Sequence, residues 1–324
     1  MALLLREADV QALLTMPLAL EAVEEAFRRQ AAGEAIVHPR RRLELPEKAF
    51  LHYMAAADTG SGYLGMKLYT SVRGVLRFLV PLYLASTGEL VALIEAGYLG
   101  QMRTGAASGV ATKFMSRANA QTLGIVGTGL QALTQLEALA AVRKITSIRA
   151  FGRDRERRKR FCEEIEAKLG IPVRPAGSAE EAVRGLDIVV SATTASQPVV
   201  LGAWLAPGTH VNAIGANFPQ KRELDDEAVG RAAIIAVDLI EQSKMEAGDL
   251  IQAFRADPGR WTTVRELAEI VAGKTPGRTD AQQVTLFKSN GIAIWDVALA
   301  VRVFELARER KVGWQVPLWE AGGS

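Results

Sequence analysis

Apolar residues at Leu20, Val23 and Phe27 share one face of a helical repeat between Pro17 and Ala32, with Pro17 suited to the first turn and Gly33 to the stop. This predicts an amphipathic helix. Beyond it the repeat shortens: segments at Arg41 to Leu45, Phe50 to Met54, Leu64 to Thr70, Phe78 to Ala85 and Leu90 to Ile94 are separated by turn signals such as Asp58-Thr59-Gly60 and Ser86-Thr87-Gly88. Strands that succeed one another without helices between them predict an antiparallel sheet. From Leu99 to Met115 the pattern is helical again. Gly105, Ala106, Ala107, Ser108, Gly109 and Ala111 leave its sides small enough for another backbone to approach closely.

The remainder alternates between the two periods. Strands are expected at Thr122 to Val126, Ser147 to Phe151, Val173 to Pro175 and Asp187 to Ala192, with helices running to about Ala141, over Arg155 to Leu169 and over Ala179 to Arg184. Further strands are expected at His210 to Ile214 and Ala233 to Val237, and one long helix over Ile292 to Arg310. This is the βαβ order of a Rossmann fold, so the fold class is α/β, preceded by an α+β region. The first strand runs into Gly127-Thr128-Gly129-Leu130-Gln131-Ala132, a G-x-G-x-x-A turn opening a helix. Gly127 makes the turn tight, Gly129 removes the side chain that would block a pyrophosphate, and Ala132 lets helix and strand pack closely. The pyrophosphate would rest on free N–H groups at the helix start, which makes Gly127 to Gln131 the expected cofactor loop.

Composition narrows the function. At 324 residues there is room for two domains, and a hydrophobic fraction of 49% with a charged fraction of 23% is that of a globular chain. No segment reaches the ~20 uninterrupted apolar residues of a membrane span, and MALLLREADVQ lacks the regions of a signal peptide. The 39 basic and 36 acidic residues are too nearly balanced to call for nucleic acid. His38, His52 and His210 are too scattered for a metal, and a single cysteine, Cys162 beside Phe161 on an amphipathic helix, reads as a small hydrophobe in a reducing cytoplasm.

About 20 residues beyond the glycines, where an acidic residue would bind the ribose 2′-hydroxyl of NAD, this chain has Gly152 followed by Arg153, Arg155, Arg157 and Arg158. Guanidiniums suit a 2′-phosphate, so NADPH is expected in preference to NADH, with Arg153 best placed to reach it. Two other readings stay open. Arg157, Arg158, Lys159 and Arg160 can be the solvated face of the next helix, and Asp154 can serve NAD.

The segments GMKLY around Lys67, LGQMRTGAASGVATK from Leu99, GIVGTGLQA from Gly124 and THVNAIGANFPQKRELD from Thr209, together with EAGDL at Glu246 and LFKSNGIAIWD at Leu286, resemble the ornithine cyclodeaminase/mu-crystallin family across nearly the whole chain. The resemblance implies a homodimer in which residues 1–115 with 295–324 form the substrate-binding and dimerisation domain and residues 116–294 the Rossmann domain. It also implies an α-amino or α-imino acid substrate whose carboxylate is held by Arg41, Lys67 and Arg103, with Arg40 and Arg42 as alternates to Arg41. Arg41 is preferred because its P-x-R spacing fits the family and alternation sets it on the side of Leu43 and Leu45. The cofactor set extends to Thr193, Gly215 and Gly291. Without the resemblance, Lys67 reads as a solvent-facing strand lysine, Arg103 as a surface or ion-paired residue and Thr193 as a strand-end cap.

Asn217 departs from the family's pattern. Cyclodeaminases and the related alanine dehydrogenases commonly carry an aspartate there as an acid/base, and an amide cannot take that proton. Reduction of a preformed C=N bond needs mainly a hydride donor and a positioned iminium. The expected activity is therefore NADPH-dependent reduction of a small α-imino acid, a cyclic ketimine such as pyrroline-2-carboxylate or piperideine-2-carboxylate. Lys67 and Asn217 are then the candidate catalytic residues. An ornithine cyclodeaminase, an alanine-type dehydrogenase and a non-catalytic NADP(H)-binding protein are the alternatives.

Overall fold

A computed structural model describes residues 1–46 and 49–318 of the chain. It divides into two units, Met1–Arg103 with the described residues from Gly291 onward, and Thr104–Asn290. Both crossings come earlier than the expected ends at 115 and 294, and the first falls inside the helix Gly97–Met115.

In the first unit the strands order as Trp314–Val316, Ala2–Leu5, Leu90–Glu95, Val75–Leu84, Tyr63–Val72, Ala49–Asp58 and Ala35–Val37, with Arg41–Leu45 also paired to Ala49–Asp58. All pairings are antiparallel except that of Ala2–Leu5 with Leu90–Glu95. The strand expected to end at Met54 continues to Asp58 because the inward alternation His52, Met54, Ala56, Asp58 does not break there. Asp58 is buried at its end and accepts a hydrogen bond from Arg29 Nη1 at 2.7 Å. Two helices pack on each other and on this sheet, Met16–Ala32 and Ala293–Arg310. Phe27 of the first meets Trp295 of the second edge to face at 5.2 Å. Gly33 ends the first helix at φ +78°, as its position predicts.

The second unit is an all-parallel sheet of eight strands in the order Val173–Pro175, Ser147–Phe151, Thr122–Val126, Ile188–Ser191, His210–Ala213, Val284–Lys288, Ala232–Val237 and Arg265–Glu266. The first three strands in chain order run outward and the fourth returns to the other side of the first. The switch point therefore lies between Thr122–Val126 and Ile188–Ser191, where open α/β sheets bind ligands at the strands' carboxyl ends. The core beneath it is aliphatic, with Val126, Val189, Val211 and Leu286 buried. Gly105 fulfils the close approach expected of its helix: a Cβ there would run into the backbone carbonyl of Thr134 on the helix Leu130–Val142.

One expected helix does not form. Residues 179–184 are successive turns, in which Val183 N–H and Arg184 N–H both donate to the Glu180 carbonyl, at 3.0 and 2.8 Å. Gly185 at φ +75° stops the run before a second turn accumulates.

Candidate active site

The strand Thr122–Val126 delivers the chain into Gly127, whose φ of +116° and whose closeness to the Ala192 carbonyl both exclude a side chain. Its N–H donates to the Phe151 carbonyl at 2.8 Å, tying the loop to the second strand. Gly129 is the N-cap of the helix Leu130–Val142; no side chain caps it and a Cβ there would meet nothing within 4 Å. The helix start thus offers uncapped N–H groups beside open space, the arrangement that receives a phosphate. Thr128 and Gln131 are half-buried and Leu130 is exposed. The loop, as built, fits a dinucleotide.

At the end of the second strand the arginines separate. Arg158 Nη1 donates to the Gly152 carbonyl at 2.8 Å and Arg157 Nε to the Thr128 carbonyl at 3.1 Å, so both brace the loop, Arg158 from a half-buried position and Arg157 from an exposed one. Lys159 and Arg160 are exposed. Asp154 is the N-cap of the next helix, its Oδ1 accepting the Arg157 N–H at 3.0 Å. Arg153 is exposed and has no hydrogen-bond or ion-pair partner among the described residues.

In the first unit Lys67, Arg103 and Asp296 converge from a strand and two helices. Lys67 Nζ donates to Asp296 Oδ1 at 2.8 Å and Arg103 Nε to the same oxygen at 3.3 Å, with Lys67 3% exposed, Arg103 7% and Asp296 0%. Two glycines leave the room: a Cβ on Gly100 would lie 2.6 Å from Lys67 Nζ, and one on Gly291 would overlap Arg103 Nη1. The Gly291 carbonyl accepts a hydrogen bond from Arg40 Nη2 at 3.2 Å. Gly291 therefore stands among the basic residues, in the unit that does not hold the glycine loop.

Of the three consecutive arginines, Arg40 is the buried one. Arg41 lies on the side of Leu43 and Leu45, as alternation requires, but that side faces solvent, with the leucines 57% and 61% exposed. Arg42 donates from Nε to His52 Nδ1 at 3.3 Å. Burial pushes Lys67 down from 10.5 to about 8; Asp296 opposes the fall while Arg103 and Arg40 add to it. Lys67 and Arg103, both buried, share the single oxygen Asp296 Oδ1, a concentration of positive charge that is unfavourable in a desolvated site and is relieved by an anion.

A second buried network supports the carboxyl ends of the parallel strands. Glu223 Oε1 accepts from Thr193 N and Oγ1 at 2.6 and 2.7 Å, and its Oε2 from Gly215 N and Ser191 Oγ at 2.7 and 3.2 Å. Asp249 Oδ1 accepts the backbone N–H groups of Glu223 and Leu224 at 2.6 and 2.9 Å, and its other oxygen lies 3.0 Å from Lys288 Nζ. Lys288 Nζ also donates to the Ala216 carbonyl at 2.6 Å, immediately before the half-buried Asn217. Thr193 thus spends its hydroxyl on Glu223 and receives the Ala195 N–H, a strand-end role.

The model of the ornithine cyclodeaminase/mu-crystallin family matches residues 1–311. The chain belongs to this family. A Δ(1)-pyrroline-2-carboxylate reductase of Bacillus cereus is 37% identical over 81% of the chain and 83% of its own length. Among solved structures, that of Thermococcus litoralis Δ(1)-pyrroline-2-carboxylate reductase with NADH and L-proline is 38% identical with a TM-score of 0.93, covering 97% of this chain and 100% of that one. An archaeal alanine dehydrogenase dimer with bound NAD is 36% identical with a TM-score of 0.92, covering 98% and 99%.

The family's motif segments now have a physical content in this chain. RELD, EAGDL and LFKSNG supply Glu223, Asp249 and Lys288, one buried network in the second unit, whereas GMKLY, GQMRTG and GIAIWD supply the cluster of Lys67, Arg103 and Asp296 in the first. Asp296 and Glu223 had not been singled out by sequence reasoning. The signal for Asp296 was a lone carboxylate inside an apolar run, Ala293-Ile294-Trp295-Asp296-Val297-Ala298.

Proposed function

We propose that the chain is a nicotinamide-dependent reductase of a small α-imino acid, with a cyclic ketimine such as pyrroline-2-carboxylate or piperideine-2-carboxylate as substrate. The observation that carries this reading is the burial of Lys67 and Arg103 on one shared carboxylate oxygen, Asp296 Oδ1, with Arg40 buried as well, which suits a compact carboxylate. Arg103 and Arg40, the latter in place of Arg41, hold the carboxylate, and Lys67 bonds it or protonates the imine nitrogen. The bound cofactor supplies the hydride. Asn217, an amide where an acid would serve deamination, favours reduction over cyclodeamination. The reductase relatives support the same direction.

NADPH oxidation followed with a panel of cyclic ketimines is the test: ketimine-dependent oxidation is expected, and ammonia release from ornithine without it overturns the reading. The alanine dehydrogenase relative favours a second reading, which ammonia-dependent oxidation with pyruvate would reveal.

For the cofactor we propose NADPH. Gly152 stands where an acid would bind a 2′-hydroxyl, Asp154 is engaged as a cap, and the Arg153 guanidinium is exposed beside both. Arg153→Ala is expected to lower kcat/KM with NADPH by about ten- to hundredfold, the worth of a hydrogen bond to a charged group, and to leave NADH nearly unaffected. Steady-state kinetics with both cofactors check this; equal losses would remove the assigned role.

A homodimer is the proposed assembly. Leu43, Leu45, Val75 and Leu76, between 49% and 61% exposed, leave an apolar margin on the first unit's sheet that a second copy would cover, and sedimentation velocity reads the outcome. A buried lone Cys162 supports a cytoplasmic setting, checked by fractionation, and among the described residues no helix is long and apolar enough to cross a membrane.

A further inference from the structure

We propose that Asp296 is a positioning residue for substrate binding, which holds the Lys67 ammonium and the Arg103 guanidinium in the arrangement where both face a carboxylate. The proposal rests on the imino-acid reading above and assigns a role to a residue outside the expected set. The geometry carries it. A guanidinium has a side-on edge containing Nε and an end-on edge formed by Nη1 and Nη2. Asp296 Oδ1 takes Nε at 3.3 Å, and among the described residues Nη1 and Nη2 donate to none, so the end-on edge is kept for a second carboxylate. The same oxygen takes one of the three Lys67 donors at 2.8 Å and leaves two. A single acceptor therefore sets both cations, with Gly100 and Gly291 shaping the space around their heads.

Asp296 also governs the charge Lys67 carries. Lys67 sits on Tyr63–Val72 opposite Met54, with its Nζ 5.2 Å from the centre of the Phe78 ring. The helix Gly97–Met115 faces it with Gly100 and Arg103, the helix Ala293–Arg310 with Asp296, and Arg40 adds a further positive charge. Asp296 is the carboxylate that keeps the amine protonated against burial and two guanidiniums.

The test uses the full chain carrying Asp296→Asn, which keeps the shape and removes the charge. Acetic anhydride labelling of Lys67 across pH, quantified on its peptide, reads the fraction of neutral amine without any substrate. In the native chain the midpoint is expected near 8. In the variant it should fall by about one unit or more, while KM for the imino acid rises roughly tenfold, kcat changes less and NADPH affinity stays within about twofold. An unmoved midpoint overturns the proposal. Because the labelling needs no turnover, its outcome is separate from whether the enzyme reduces ketimines. Should Asp296→Asn not fold, the double variant Lys67→Met/Asp296→Asn decides: a recovered fold supports the pairing, and a double variant no more stable than the single overturns it.

Discussion

Lys67→Ala is expected to reduce kcat/KM for the imino acid by roughly 10³-fold or more, combining loss of a buried charge partner for the carboxylate with loss of a proton donor. NADPH affinity should be unchanged, because the glycine loop belongs to the other unit. Arginine is not a substitute, since the space around Nζ is already limited by Gly100, where even a Cβ would come within 2.6 Å. The pH profile provides a second check. The protonated amine is the form that attracts a carboxylate, and burial brings it down from 10.5 to about 8. Activity should thus be level below that pH and fall about tenfold per unit above it, a limb that disappears from whatever activity the alanine variant retains. Fluorescence titration with NADPH and a kcat/KM profile from pH 6 to 10 measure both; collapsed cofactor affinity with surviving turnover would refute the role.

Lys288→Met is expected to destabilise the protein by about 3–5 kcal/mol, seen as a lower midpoint in chemical denaturation. Lys288 is completely buried, and without its ammonium the Asp249 carboxylate is left without its ion-pair partner, with Glu223 close by in the same network. The pH dependence has a definite sign. Burial raises Glu223 above its ordinary 4.5, and Lys288 acts in the opposite direction, so the substitution raises it further. A carboxyl with a raised folded value contributes most below its unfolded value and loses that contribution as pH rises through the folded one. The deficit of the variant should accordingly narrow as pH is lowered towards 5 and widen towards neutrality. A uniform deficit across that range would show that packing, not charge, is responsible.

Much of the second unit was legible. Thr122–Val126, Ser147–Phe151, Arg155–Leu169 and Val173–Pro175 form where apolar alternation or helical repeat meets a glycine or polar break. Val284–Lys288 escaped because it ends in a lysine, and its burial depends on Asp249, a partner distant in sequence. Ala2–Leu5 and Glu7–Leu13 are too short for either period to declare itself. The exposure of Arg41 has a different origin. Alternation sorts a strand into two faces without saying which is covered, and here the leucine-bearing face is the exposed one. Asp296 was obscured by the run around it, for a carboxylate amid alanines and a tryptophan declares its partners only when Lys67, 229 residues earlier, is brought against it.

The first unit is assembled from both ends of the chain, with the whole second unit between its pieces. During synthesis, Met16–Ala32 and the sheet strands from Ala2 to Glu95 leave the ribosome before the helix Ala293–Arg310 that packs on them, and Trp295 and Val297 are therefore missing from their core until that helix has been made. The parallel sheet needs nothing beyond Asn290 and can be complete first. The ion pair of Lys67 with Asp296 thus waits for the second unit to be made: the two cations at Lys67 and Arg103 meet their shared carboxylate only when the helix Ala293–Arg310 docks.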